Sequence, residues 1–441
     1  MTPIQLPSMA RADFHVLAKP TGAVCNLDCK YCFFLSKEML YPGSRFRMAD
    51  DLLETYIRQL LESQSSPDVI VGWQGGEPTL MGLEFFERSI VYVQQYKKPR
   101  QQVSYTLQTN GTRLDDAWCA FLKRHNVLVG LSVDGPRELH DAYRVDKRGQ
   151  GSFDDVMRGF GCLNGYGVDV NVMCTVHAAN ADHPVEVYRF FRDELKTAFI
   201  QFIPIVERVT EQLLPLANQG WGERGSDPRP LHVLEGNHVT SRSVAPEQWG
   251  QFLIAIFDEW IKRDVGAVYV QMFDAALASW LGAPASMCIF SETCGSALAL
   301  EHNGDVYSCD HFVEPKHLLG NIQQVHMLQL VTSEQQRTFG LVKRDTLPKY
   351  CRGCSVRFAC HGECPKNRFI STPDGEPGLN YLCAGYKAFF THIDRAMHLM
   401  AELLRHGRYA DEAMAMLAEL RATSPRMQPP NLTESAVMGP L

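Results

Sequence analysis

Cysteines constrain this chain more than any other feature of its sequence. Eleven of the 14 cysteines fall into two groups, three of them within residues 25–32 and eight within residues 288–383. In a reducing compartment such cysteines seldom form disulfides, so metal binding is the leading explanation for them. The loop-like spacing of the second group favours a small domain that is organised by bound metal rather than by an apolar core.

The first group has the spacing Cys25-x3-Cys29-x2-Cys32. A [4Fe–4S] cluster needs one ligand for each iron, so three thiolates leave one iron open. An open iron can chelate the amino and carboxylate groups of S-adenosylmethionine (SAM). An electron from the cluster then cleaves the sulfonium and gives a 5′-deoxyadenosyl radical. Zinc is the alternative, but a zinc site would require a fourth Cys or His at matching spacing.

From Phe14 to about Val206, short β-rich runs alternate with longer helical patterns. Strands are predicted at Phe14–Ala18, Val69–Trp73, Val103–Gln108, Val127–Val133, Asp169–Thr175 and Phe199–Ile205. Helices are predicted between them at Asp50–Ser63, Leu83–Gln95, Asp115–His125, Ser152–Tyr166 and Pro184–Leu195. This alternation predicts right-handed βαβ crossovers and a parallel sheet. Six units favour an α/β fold of the open, partial (β/α)6 barrel type. The cysteine triplet then follows the first strand, at the face where barrel active sites lie.

The pattern changes after residue 206. Residues 207–245 are rich in Gly, Pro, Asn and Arg and are expected to form an extended loop or insertion. Its Arg- and Glu-containing segment from Glu207 to Arg242 could line a peptide-binding cleft, but a solvated loop is favoured. Asn303-Gly304 predicts a tight hairpin between Ala297–Glu301 and Val306–Cys309. Further helices are predicted at Pro246–Arg263, Ala384–His406 and Asp411–Ala422.

These boundaries divide the chain into six parts. They are an N-terminal extension (1–13), the barrel with its insertion at about 207–245 (14–245), linking helices (246–285), the second cysteine region (286–390), C-terminal helices (391–422) and a tail predicted to be disordered (423–441).

Four motifs together carry a family resemblance. The cysteine triplet lies in Cys-Asn-Leu-Asp-Cys-Lys-Tyr-Cys-Phe at 25–33, and Gln-Gly-Gly-Glu-Pro at 74–78 follows the second strand. Gln-Thr-Asn-Gly at 108–111 and Ser-Val-Asp-Gly-Pro at 132–136 end the third and fourth strands. The set resembles the anaerobic sulfatase-maturating enzymes, which are radical SAM enzymes with a C-terminal SPASM domain. The resemblance extends from Phe14 to about His406.

The resemblance implies a set of SAM contacts. Gly75 and Gly76 would let the backbone approach the SAM amino group, with a plain strand-to-loop turn as the alternative. Arg144 would pair with the SAM carboxylate, with a surface ion pair as the alternative. Val206 would contact adenine, although a core position explains it equally well. The full set implied by the resemblance is Tyr31, Gly75, Gly76, Glu77, Ser132, Arg144 and Val206.

The second cysteine group resembles a SPASM domain in its Cys-x2-Cys-x5-Cys-x3-Cys run at 351–364. Eight cysteines are the number that two four-ligand clusters need. By resemblance, auxiliary set I is Cys288, Cys294, Cys309 and Cys364, and auxiliary set II is Cys351, Cys354, Cys360 and Cys383. Together with the first group, this predicts three [4Fe–4S] clusters. A double zinc module and a purely structural cluster domain are the alternatives.

Asp310, which directly follows Cys309, matches the proposed base of the family. Burial and the like charge of an anionic cluster would make its carboxylate a better base. A polar residue that merely ends the hairpin is the alternative reading, and His311 is a neighbour with similar chemistry. The implied reaction is oxidation of a Cys or Ser side chain in a sulfatase to Cα-formylglycine.

The net charge, the hydropathy and the N-terminal sequence indicate which partners and which location to expect. The net charge of −7 argues against nucleic acid, and no apolar run approaches the roughly 18 residues of a membrane helix. Residues 1–15 lack the apolar segment of a signal peptide, so the chain is expected to be cytoplasmic. The expected partners are a sulfatase polypeptide with a Cys/Ser-x-Pro/Ala-x-Arg motif and a reducing donor such as flavodoxin or ferredoxin.

Two other functions remain open from sequence. A SPASM enzyme that modifies a different peptide would be favoured by a precursor-recognition domain, and the stretch before Phe14 is expected to be too short for one. A non-catalytic iron–sulfur electron carrier would have no need of the SAM-site residues.

Overall fold

The computed structural model describes residues 13–222 and 230–423 of the chain. The predicted N-terminal extension and C-terminal tail therefore lie almost wholly outside the described residues. Six parallel strands form the centre of the fold: β1 His15–Lys19, β2 Asp68–Trp73, β3 Gln102–Thr109, β4 Val127–Ser132, β5 Val170–Val176 and β6 Phe199–Pro204. The connecting helices are α1 Asp50–Ser63, α2 Leu83–Tyr96, α3 Asp116–Arg124, α4 Arg137–Asp141, α5 Phe153–Tyr166 and α6 Pro184–Arg189. The predicted parallel α/β fold is confirmed.

Local sequence explains why these helices form where they do. The α1 helix begins with Asp50 and Asp51, which complement the positive end of the helix dipole, and its apolar residues lie on one buried face. The side chain of Asp115 caps α3 by accepting a hydrogen bond from the Trp118 N–H. Gly167 ends α5 in the left-handed conformation, with φ of 63°.

The insertion is folded where the structure describes it. It contains β7 Arg208–Val209, α7 Leu214–Ala217 and β8 His238–Val239, and β7 pairs with β8 in antiparallel fashion. Glu207 and Arg242 form a buried bidentate ion pair, with Oε2 and Oε1 of Glu207 at 3.0 and 2.9 Å from the guanidinium. The Trp221 indole, which is fully buried, also donates to Glu207. The expectation of a solvated loop is therefore wrong for these residues, because a buried ion pair fastens the two ends of the insertion together.

The chain then returns to the main sheet. The elements after the insertion are α8 Pro246–Trp260, β9 Tyr269–Val270, α9 Gln271–Leu281, β10 Ala297–Glu301, β11 Asp305–Tyr307 and β12 Leu318–Asn321. In the described residues ten strands form one sheet, in the order β12-β11-β10-β1-β2-β3-β4-β5-β6-β9. The predicted hairpin is present as β10 and β11, and β10 pairs in parallel with β1 over its whole length, so that Lys19 faces Glu301. The second cysteine region is thus attached directly to the edge of the barrel sheet.

Short helices and a hairpin carry the remaining cysteines. They are α10 Met327–Val331, α11 Glu334–Asp345, α12 Lys349–Arg352, α13 Arg357–Cys360, β13 Arg368–Ser371 and β14 Pro377–Asn380, followed by α14 Cys383–Arg405 and α15 Glu412–Thr423. No helix in residues 13–222 or 230–423 combines the length and the apolar composition that a bilayer span requires.

Two glycines let α8 and α14 cross at close range. A Cβ atom on Gly385 would lie 2.1 Å from the Pro246 carbonyl oxygen, and one on Gly250 would lie 2.7 Å from the Gly385 Cα. Because α8 and α14 pack their apolar faces in one core, this contact fixes how the C-terminal helices sit against the barrel.

Gly385→Ala is expected to destabilise the protein by about 1–3 kcal/mol, because the new methyl group has no room between the two helices. Gly161→Ala is the matched control. A Cβ there meets nothing within 4 Å, and the change replaces a glycine in the interior of α5, so it should stabilise by up to about 1 kcal/mol. Anaerobic denaturant unfolding measures both changes. Equal midpoints for the two variants would contradict the close-crossing argument.

Candidate active site

The cysteine triplet lies on a loop that leaves the C-terminal end of β1. The loop is held by backbone hydrogen bonds from Asp28 N to Val145 O at 2.8 Å and from Lys30 N to Tyr143 O at 2.9 Å. Burial, the largest cause, raises the pKa of the Cys29 thiol to about 12 even though the nearby Arg144 acts to lower it, and a charge on Cys32 contributes to the rise. Thiolates at such a buried position need a positive partner. An iron cluster bound by the three sulfurs would supply that charge.

The Gly-Gly-Glu-Pro motif packs directly against this loop. Gly76 N donates to Gly22 O at 2.8 Å, and Glu77 N donates to Val24 O at 2.9 Å. A Cβ on Gly76 would lie 2.0 Å from the Val24 carbonyl oxygen. Glycine is therefore required here for contact between two protein backbones. The predicted contact of Gly75 and Gly76 with SAM stays a prediction.

Glu77 is fully buried and uses its carboxylate within the protein. It accepts hydrogen bonds from the Thr79 N–H and hydroxyl at 3.1 and 2.6 Å, from the Thr109 hydroxyl at 2.8 Å and from the Asn110 N–H at 2.8 Å. The Asn110 amide in turn lies 3.6 Å from the Cys25 sulfur. These contacts favour a role for the Glu77 carboxylate in holding the ends of β2 and β3 beside the cluster loop.

Asp134 is a buried carboxylate just after the end of β4, and the sequence analysis did not single it out. Its hydrogen bonds and ion pairs hold several side chains in place. It accepts from the Tyr31 hydroxyl at 2.6 Å and from Arg144 at 2.8 and 3.1 Å, and the Thr175 N–H donates to it at 2.8 Å. The His177 ring lies 3.6 Å away. Burial alone would raise the pKa of Asp134, but Arg144 and His177 hold it below its ordinary value. Asp134 lies within the Ser-Val-Asp-Gly-Pro motif, and this position is the sequence feature that could have identified it as a site residue.

Arg144 is therefore buried and paired, so the alternative of a surface ion pair is wrong. Its side chain is buried, and its guanidinium is paired with Asp134 and lies over the Tyr31 ring at 5.5 Å. The predicted pairing of Arg144 with the SAM carboxylate would have to be shared with Asp134. Tyr31 is held by the same carboxylate, beside the last cysteine of the triplet.

The other two predicted SAM contacts have different surroundings. The Ser132 hydroxyl is half-buried and accepts from the Gln108 amide at 3.0 Å. Val206 is buried in the apolar core that α8 and α14 share, as the alternative reading expected. Ser132 lies at the C-terminal end of β4, and a role in SAM binding stays a prediction for both residues.

Auxiliary set II surrounds a cavity. All four of its cysteines line one pocket, together with Tyr350 and Tyr386. Besides burial, which is the largest cause, a charge on Cys351 raises the pKa of Cys360 and Cys383. Within the described residues, no three His, Cys, Asp or Glu side chains converge tightly enough to hold one metal ion. Four sulfurs around a cavity fit a multi-iron cluster better than a single zinc.

Auxiliary set I is brought together from distant parts of the second region. Besides burial, a charge on Cys288 raises the pKa of Cys294, Cys309 and Cys364. Cys364 thus lies near the members of set I although it follows three members of set II in the chain. This arrangement supports the interleaved ligand sets that the resemblance implied.

Asp310 begins a short 3₁₀ turn, Asp310–Phe312, directly after Cys309. Its Oδ1 lies 2.8 Å from the Lys19 ammonium at the end of β1. The β1–β10 pair and the β10–β11 hairpin therefore connect the candidate base to the strand from which the cluster loop departs. Burial lowers the pKa of the neighbouring His311 to about 3, which makes that ring a weak base at neutral pH.

Comparisons with known proteins agree with this geometry. Residues 20–191 match the radical SAM superfamily, and residues 288–355 match the SPASM iron–sulfur cluster-binding domain. A serine-type anaerobic sulfatase-maturating enzyme of Bacteroides thetaiotaomicron is 43% identical over 408 residues, which are 92% of this chain and 95% of that protein. A cysteine-type enzyme of Clostridium perfringens is 32% identical over 86% of this chain and 95% of its own length.

A solved structure with the same fold is native anSMEcpe with bound AdoMet and the Cp18Cys peptide. It is 31% identical, covers 88% of this chain and 99% of its own, and superposes with a TM-score of 0.74. The likeness therefore includes both the barrel and the cysteine-rich region.

Asp134→Asn is expected to destabilise the protein by about 3–5 kcal/mol, because it leaves the buried Arg144 charge without a full counter-charge. Asp154→Asn is the matched control, since Asp154 forms an Arg–Asp pair with Arg137 on the exposed surface and should change little. Anaerobic denaturant unfolding compares the two. A similar small effect in both variants would show that Asp134 is not the organising carboxylate.

His140 predicts a pH dependence of stability. Its Nδ1 accepts from the Asp134 N–H at 3.3 Å, and burial, with Arg144 nearby, lowers its pKa to about 3. The unfolded chain takes up a proton on this ring near pH 6.5, whereas the folded chain does not. The contribution is therefore present above pH 6.5 and is lost as the pH falls from 6.5 towards 3.

Between pH 7.5 and 5.5 this one histidine should remove about 1.4 kcal/mol of stability. His140→Asn, whose Oδ1 can accept the same hydrogen bond, should abolish that part of the pH dependence. Unfolding titrations of both proteins at the two pH values measure the difference. Parallel pH profiles would contradict the assignment.

Proposed function

The chain belongs to the anaerobic sulfatase-maturating enzymes of the radical SAM superfamily, and on that premise we propose that it oxidises a Ser or Cys side chain of a sulfatase to Cα-formylglycine. Family membership rests on 43% identity over 92% of the chain. The single observation that carries the proposal for this chain is the position of Asp310. It lies between a cysteine of set I and the end of the strand that leads into the cysteine triplet.

The residues fit the cofactors of that family. When bound, SAM and a cluster with one open iron supply a 5′-deoxyadenosyl radical, and fully ligated clusters can accept an electron. Cys25, Cys29 and Cys32 would hold the first cluster. Sets I and II would hold the other two.

The reaction removes two electrons from the substrate side chain. The Cβ atom of Ser first loses a hydrogen atom. The hydroxyl then loses its proton as an electron leaves, which forms the C=O bond of the aldehyde. A Cys side chain gives a thioaldehyde by the same steps, and water then replaces its sulfur.

Asp310 is proposed to accept the hydroxyl or thiol proton in this second step. The Asp134 and Glu77 networks keep Tyr31 and Asn110 beside the triplet, so that SAM meets a pre-organised pocket.

The proposed partner is a sulfatase polypeptide that presents Cys/Ser-x-Pro/Ala-x-Arg in extended form. The bound Cp18Cys peptide in the solved relative supports a peptide substrate. We further propose a low-potential donor such as flavodoxin or ferredoxin, and a cytoplasmic location, where such reductants are present.

The two alternatives have less support. A different SPASM maturase would not require the likeness to extend across 95% of a sulfatase-maturating relative. A non-catalytic electron carrier would have no use for the buried Asp134 and Glu77 networks around the triplet.

Peptides provide the direct test. Two peptides that differ only in Ser or Cys at the motif are incubated with SAM, dithionite and reconstituted protein that carries about twelve irons. Mass spectrometry should show the aldehyde in at least one peptide. SAM cleavage without loss of mass from either peptide would contradict the proposal. Because relatives of both types exist, both side chains have to be tested.

Asp310→Asn should leave 5′-deoxyadenosine formation intact and lower aldehyde formation by about 10²-fold or more, because the amide cannot accept the substrate proton. Asp305→Asn on the same hairpin is the control, since Asp305 contacts only hairpin residues and Asn321 in the described contacts. Quantifying both products for each variant gives the answer. Unimpaired aldehyde formation by Asp310→Asn would remove the base assignment.

A further inference from the structure

A fully buried lysine, Lys19, lies between the loop that carries the cysteine triplet and the candidate base Asp310. The Lys19 ammonium lies 2.8 Å from Asp310 Oδ1, 3.5 Å from Glu301 Oε1 and 3.7 Å from the centre of the Phe34 ring. Its side chain has no exposed surface. Buried amines are rare because their charge must be compensated by nearby groups. Here two carboxylates and an aromatic face provide that compensation.

The backbone of Lys19 is as firmly placed as its ammonium. Lys19 is the last residue of β1, and its carbonyl accepts from Gly22 N at 2.9 Å, at the start of the cluster loop. A Cβ on Gly75 would lie 3.0 Å from the Lys19 Cβ, so the Gly-Gly motif packs against the lysine stem. Phe34 follows the last cysteine of the triplet by two positions. The aliphatic part of the Lys19 side chain therefore contacts the Gly-Gly motif beside the cysteine triplet, and its ammonium contacts Asp310.

The contact is made to one oxygen of Asp310. Oδ1 is buried and is the oxygen that lies 2.8 Å from Lys19, whereas Oδ2 takes part in no hydrogen bond among the described residues. The Asp310 side chain keeps 12% of its surface exposed. An ion pair at 2.8 Å on a rigid strand end thus leaves Oδ2 as the oxygen that is available to a substrate.

We infer that Lys19 is a positioning residue that fixes the Asp310 carboxylate so that Oδ2 faces the reacting side chain. This inference rests on the proposed function of Asp310. It adds that the orientation of the base is set by a lysine on the barrel and not by the cysteine region that carries Asp310.

Glu301 holds the lysine in place. Lys19 and Glu301 are register partners in the β1–β10 pair, and Glu301 is itself buried. Both carboxylates contact the same ammonium, and the 3.5 Å contact with Glu301 is the longer one, so Glu301 holds the ammonium from one side and leaves the short contact to Asp310.

The test compares two buried lysines in the holoenzyme. Lys19→Met removes the ammonium but keeps the stem volume. Lys37→Met is the matched control, because Lys37 is nearly as buried and its ammonium donates to the His232 carbonyl at 2.6 Å rather than contacting Asp310. The measured quantity is 5′-deoxyadenosine formed per aldehyde formed, with the motif peptide that the wild type oxidises.

Lys19→Met should raise this ratio by about 10- to 100-fold, since a misdirected base fails after the radical has been made. Lys37→Met should leave the ratio unchanged, because general loss of stability lowers both products together. Lys19→Arg, which restores a cation, should bring the ratio back towards the wild-type value. If Lys19→Met does not retain its irons, the same ratio is measured on Lys19→Gln, with the same expectation.

A structural readout accompanies the kinetics. A crystal structure of Lys19→Met should show the Asp310 carboxylate turned from its wild-type orientation. An unchanged ratio in Lys19→Met, or an equal rise in Lys37→Met, would overturn the inference. If Asp310→Asn suppresses aldehyde formation while Lys19→Met does not, only the role of Lys19 fails. If Asp310→Asn forms aldehyde normally, the base assignment itself fails.

Discussion

The parallel pairing of β1 with β10 is the contact on which the rest of the site depends. It joins the strand that leads into the cysteine triplet to the first strand of the hairpin whose second strand, β11, leads into Cys309 and Asp310. This pairing attaches the cysteine-rich region to the barrel sheet, in addition to the packing of α14 against α8. With it, a radical-generating centre and a candidate base share one sheet edge. The C-terminal ends of parallel strands are also where α/β folds place their chemistry.

Buried charges hold the side chains of this edge. Three buried groups of side chains lie here. They are Asp134 with Arg144, Glu77 with its hydroxyl and N–H donors, and Lys19 with Asp310. Such groups are costly unless every partner is in place, so each network tolerates one arrangement only. That property suits a site in which a reactive radical must meet one hydrogen atom. The predicted contacts of Tyr31 and Arg144 with SAM would be built on the Asp134 network.

Sequence patterns were sufficient for the barrel because its signals are local. The alternation of short β-rich runs with longer helical patterns predicted the six strands and most helices to within a few residues. The insertion was mistaken for a solvated loop because its fastening, Glu207 with Arg242, joins two residues on opposite sides of it. Asp134 was overlooked for a related reason, since its partners lie on three different segments.

The sequence by itself determined the metal chemistry and the order of strands and helices. The spacing of Cys25, Cys29 and Cys32 leaves one iron of a cluster open whatever surrounds it. Only the tertiary structure decided that Asp310 contacts Lys19, that Cys364 lies near Cys288 and Cys309, and that Gly76 makes a backbone contact. These features depend on strand register and on buried ion pairs between residues far apart in the chain. Local propensity carries no information about such pairs.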